Sequence, residues 1–73
     1  MAQQALKSEV TGTVWKVECA VGDRVEAEQV LLIIESMKME IPLEAPVAGV
    51  VVGIPVAEGQ PVEEGETLCL IET

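Results

Sequence analysis

"VLLIIESMKMEIPLEAPVAGVV", residues 30–51, sets two apolar segments around the centre "ESMKME". If Met37 and Lys38 are the central pair of a two-residue turn, then Ser36 faces Met39, Glu35 faces Glu40 and Ile34 faces Ile41. That register puts apolar against apolar at the base, as cross-strand packing prefers, so the stretch reads as a β-hairpin. Two features of it break local rules. A type I′ turn needs φ > 0 at both central residues, a region that Asn and Gly enter readily and that Met and Lys resist. Glu35 opposite Glu40 sets like charges side by side, at a cost of about a few tenths of a kcal/mol when exposed. Local rules broken without a folding benefit point to function.

Working outward, the chain repeats itself. Shifted by thirty-seven positions it matches without a gap, with eleven identities over the thirty-one positions 6–36, among them Gly12/Gly49, Val14/Val51, Gly22/Gly59, Val25/Val62, Leu31/Leu68 and Ile34/Ile71. The halves, about 1–36 and 39–73, are expected to form a single domain spanning 1–73. In each half a strand opens at a glycine, "TGTVWKV" or "AGVVVGI", and a glycine turn, "AVGDRV" or "AEGQPV", leads to a short strand. The longest strands, "VLLIIES" and "TLCLIET", follow. With the stretches before Gly12 and Gly49 this predicts about eight strands, and no stretch reads as an amphipathic helix. Pro42, Pro46, Pro55 and Pro61 lack the ladder donor and should mark strand ends, edges or turns. Two four-strand units, each too small to close a core, are expected to pack face to face about a pseudo-twofold axis as a sandwich or flattened barrel. Symmetry then puts the chain ends at one pole and the link, residues 36–39, at the other.

Composition agrees with an all-β class. Val, Ile and Leu dominate, and Trp15 is the only aromatic residue of the 73. Trp15 is expected in the core or as a partly exposed cap. A formal net charge of −9 with no histidine argues against nucleic acid or an anionic membrane surface as partner and favours proteins with basic clefts. The longest apolar runs are too short to span a bilayer, and residues 1–9 lack a signal-peptide core, so a cytoplasmic location is expected. Cys19 and Cys69 stand without histidine, which builds no zinc site; reduced, packed thiols are expected rather than a disulfide. Lys7 and Lys16 read as solubilising charges, and Glu63-Glu64-Gly65-Glu66 as a solvated turn.

Lys38 carries the chemistry. A hairpin apex displays its amine, yet lysine amines are almost wholly protonated at neutral pH, and the chain offers no histidine or tyrosine to activate one. Lys38 is therefore expected to be a substrate for modification. The surrounding residues carry a resemblance: Met37, Lys38 and Met39, followed by Ala45, Pro46 and Gly49, with the Gly22 and Gly59 turns, make the chain similar to biotinyl (biotin/lipoyl attachment) carrier domains from about Gly12 to Glu72. The ungapped stretch "VECAVGDRVEAEQV" matches the thumbless type.

The resemblance implies a barrel-sandwich hybrid of two four-stranded antiparallel sheets with biotin attached to Lys38 by a biotin protein ligase. It further implies a non-catalytic, acidic carrier, monomeric when isolated, that moves a carboxyl group between biotin carboxylase and carboxyltransferase sites. Met37 and Met39 would be flanking recognition residues, and Glu35 and Glu40 a collar read by the ligase or carboxylase. Two alternatives remain at this point. One is a lipoyl carrier, which normally has an acidic residue where Met37 stands; the other is an unmodified barrel-sandwich interaction module. A phosphopantetheine anchor at Ser36 would require a helix opening at that serine, and none is expected.

Overall fold

Runs of Val, Ile and Leu interrupted by glycine turns form eight strands: β1 (Gln3–Lys7), β2 (Gly12–Val17), β3 (Arg24–Val25), β4 (Val30–Ser36), β5 (Met39–Glu44), β6 (Gly49–Gly53), β7 (Pro61–Val62) and β8 (Thr67–Glu72). A computed structural model describes residues 2–73. The strands make two four-stranded sheets, ordered β1-β8-β6-β3 and β5-β4-β2-β7, and every pairing is antiparallel.

The thirty-seven-residue shift carries β1 onto β5, β2 onto β6, β3 onto β7 and β4 onto β8, and so carries one sheet order onto the other. The halves do not, however, pack as two separate face-to-face units. Each sheet takes two strands from each half. A half with one two-residue strand cannot cover its own core, whereas exchange gives every strand a neighbour from the other copy.

The symmetry reaches single hydrogen bonds. Gly22 N–H donates to the Val51 carbonyl at 2.7 Å and Gly59 N–H to the Val14 carbonyl at 2.7 Å. Both glycines have φ near +90° (98 and 88), which an L side chain rarely adopts. The Asp23 carboxylate accepts from Ala20 N–H at 2.9 Å, and the Gln60 amide oxygen accepts from Ala57 N–H at 3.1 Å. Bulges recur at equivalent places, Trp15 in β2 and Val52 in β6.

Between the sheets lies a core led by Val14, Val25, Leu31, Leu32, Ile34, Val51, Val62, Leu68, Cys69 and Ile71. Gly12 and Gly49 let backbones close on it. A Cβ at Gly12 would lie 2.4 Å from the Glu35 carbonyl oxygen, and one at Gly49 2.7 Å from that of Glu72. Pro42 lies in the edge strand β5 and Pro61 opens the edge strand β7, where a missing donor costs no ladder bond inside a sheet.

Candidate functional site

The hairpin of β4 and β5 has the register read from its sequence: Ile34 pairs with Ile41, Glu35 with Glu40 and Ser36 with Met39. Ile34 is buried in the core, so one face of the hairpin base is locked and a slip would turn it to solvent. Met37 and Lys38 close the turn with φ of 52° and 65°. Left-handed backbone costs an L residue about 1–2 kcal/mol, and two such residues in succession make this apex a place held by its surroundings rather than by local preference.

One support was not legible in the sequence. The Ser36 hydroxyl donates to the Thr11 carbonyl at 2.8 Å, tying the strand end below the apex to the segment leading into β2. The close crossing of Gly12 under Glu35 brings that segment within reach. The offset that pairs Gly12 with Gly49 marked the crossing; nothing marked the serine.

The apex stands clear of the body. Met37 is 93% exposed and Met39 64%, and Lys38, Glu35 and Glu40 are exposed as well. Three surface concavities are lined elsewhere: by Ser8, Val10, Ile41 and Leu43 in a dimple of about 60 Å³, by Arg24, Val50 and Thr73, and by Glu28, Glu44 and Pro46. None includes a residue of the apex. Among the described residues, no cluster of acidic or cysteine side chains could hold a metal ion. The arrangement offers one amine, two thioether side chains and two carboxylates to an approaching surface.

Trp15 lies outside the core and is 46% exposed. The Lys16 ammonium sits over its ring, 6.0 Å from the centroid. Both cysteines are free thiols, Cys69 buried and Cys19 half-buried. Burial pushes the Cys69 thiol up to about 11, reinforced by its close contact with Cys19; burial also raises Cys19. No helix is long and apolar enough to cross a membrane among the described residues.

The pattern of the "Biotin-requiring enzyme" family, covering biotin/lipoyl domains, matches residues 3–71. The chain is 43% identical over 60 residues to the biotin/lipoyl attachment protein of Bacillus subtilis (strain 168), covering 82% of each. It is 41% identical over 70 residues to the biotin carboxyl carrier protein of Streptococcus mutans serotype c, covering 96% of this chain and 54% of that protein. The crystal structure of Kluyveromyces lactis urea carboxylase superposes with a TM-score of 0.92 at 40% identity, covering 99% of this chain and 6% of the larger one. The chain thus spans about half of one carrier protein and a small part of a carboxylase.

Proposed function

We propose a function from the premise that this chain belongs to the biotin/lipoyl family: it is a biotin carboxyl carrier domain whose biotin is joined to the Lys38 amine. The observation that carries the assignment to this lysine is the apex itself, a register-locked hairpin holding Met37 and Lys38 at positive φ with solvent around them. The site fits an acyl group received from outside. Lys38 is exposed and lines none of these three concavities, so an enzyme can enclose it, and amide formation there buries no charge inside this chain.

In this reading a biotin protein ligase deprotonates and acylates the amine, since no neighbouring side chain of the carrier is a suitable base. Once bound, biotin supplies the group that carries a carboxyl between a biotin carboxylase site and a carboxyltransferase site. The carrier itself performs no catalytic step. Its residues display, orient and restrain: Ser36 and Gly12 fix the base of the hairpin, and the stiff sheets limit the entropy lost at each docking. Tethering makes the second encounter nearly intramolecular. Met37 and Met39 are contact surface for the modifying enzyme, and Glu35 with Glu40 face its basic groups. Residues 1–73 act as one carrier domain, monomeric in isolation. A cytoplasmic location belongs to the same reading.

Co-expression with a biotin protein ligase, and separately with a lipoate ligase, tests the assignment. Peptide mass mapping is expected to find biotin on Lys38 and no lipoyl group. Biotin on Lys7 or Lys16, or lipoylation alone, would overturn it.

A further inference from the structure

The outer faces of the two sheets are symmetric in backbone and unlike in chemistry. In β2 the bulge sets Trp15 and Lys16 together opposite Ile33 of β4, whose other neighbour is Pro42 of β5. Higher on the same face stand Thr13, Glu35 and Glu40, directly beneath the apex. The equivalent face of the other sheet carries Val52 at the bulge, Leu70 in place of Ile33 and Ala5 in place of Pro42. It leads to the paired chain ends, not to a lysine: Ala2 N–H donates to the Thr73 carbonyl at 3.2 Å, and Thr73 N–H donates back at 2.9 Å. The chain's one aromatic side chain therefore stands half out of the surface on the face that carries Lys38.

Resting on the carrier reading, we propose that this face is a docking surface for the ligase that acylates Lys38, with Trp15, Ile33 and Pro42 seated on an apolar shelf and Glu35 and Glu40 facing basic side chains above it. Reach selects this occupant. A finished biotinyl-lysine arm can enter a carboxylase site while the protein body stands back. Acylation must bring the bare amine itself to the activated acyl group, at the length of one lysine side chain, so the apex enters the ligase and the strands below it meet the rim. Ile33 lies three residues below Ser36, about 10 Å along the strand, on the part of the hairpin that such an approach brings toward the rim. A rigid, half-exposed tryptophan provides apolar contact area with little side-chain entropy to lose, and the acidic pair above sets the sign of the opposing surface.

The test measures biotin transfer by a purified biotin protein ligase with ATP and biotin, varying carrier concentration. Trp15→Ser is expected to raise KM for the carrier about fivefold or more with kcat unchanged, while Val52→Ala on the other sheet leaves both constants as they are. Circular dichroism and thermal unfolding show whether each variant is folded. A second readout does not depend on turnover: in carrier labelled with 5-fluorotryptophan, the single fluorine resonance is expected to shift or broaden on adding ligase. Folded Trp15→Ser with the wild-type KM, or a fluorine resonance unmoved by excess ligase, would overturn the docking face while leaving Lys38 as the acceptor. Failure of wild-type carrier to accept biotin at all would overturn the carrier reading and this inference with it.

Discussion

The two copies of the repeat are equivalent in their scaffolding and differ in most of their side chains, at twenty of the thirty-one matched positions 6–36. Gly22 and Gly59 make the same turn, and Gly12 and Gly49 make the same close crossing. The copies part at Glu28 against Gly65, Leu32 against Cys69, Trp15 against Val52, and where the Met37–Lys38 link closes a hairpin that the chain ends leave open. At these two turns and two crossings both copies keep the glycine; at the third left-handed turn only Gly65 does, and Glu28 takes the strain. The differences therefore mark positions that the fold tolerates.

The largest effect on stability should come from breaking what the copies share. Gly12→Ala drives a Cβ into backbone that cannot yield, and is expected to cost about 3 kcal/mol in urea unfolding, with Gly49→Ala slightly less in line with its longer approach. A mild effect at Gly12 with a severe one at Gly49 would break the equivalence.

A smaller effect separates Leu32 from Cys69. Cys69 is buried with its thiol raised to about 11 from an ordinary 9.0. The unfolded chain ionises that thiol first, so stability is full below pH 9 and falls as pH rises toward 11, by roughly 2 kcal/mol. Chemical unfolding across that interval checks this. Cys69→Ala, less stable below pH 9, should lose much less between the same two pH values.

Smaller still are the strained turns. Glu28 holds φ 72° where its counterpart Gly65 holds 88°, and Met37 holds 52° at the apex. Replacing either with glycine relieves left-handed strain against added chain entropy, for a net gain of about 0.5 kcal/mol. The two should then diverge: Glu28→Gly keeps the wild-type rate of biotin transfer, and Met37→Gly slows it. Equal rates in both would remove Met37 from the recognition surface.

Much of this could be read before the structure. The repeat gave the strands, the prolines fell at edges and between strands, and the pairing around Met37 and Lys38 followed from placing Ile34 across from Ile41. Which strands share a sheet could not be read, because local periodicity says which face a residue occupies and nothing about its distant partner. Glu28 carries no turn signal of its own; only the offset to Gly65 reveals it. The Ser36–Thr11 bond and the Cys19–Cys69 contact join segments 25 and 50 residues apart, beyond any local pattern. At the candidate site the sequence marked Lys38 by its setting, and the structure added why the amine is held where it is.

The most direct measurement is incorporation of biotin into purified Lys38→Arg carrier by a biotin protein ligase, alongside wild type, with thermal unfolding of both. Lys7, Lys16 and the charge at the apex all survive that change. The expected result is the same unfolding midpoint and no incorporated biotin. Incorporation at the wild-type rate would contradict the claim that one displayed amine is what this hairpin exists to present.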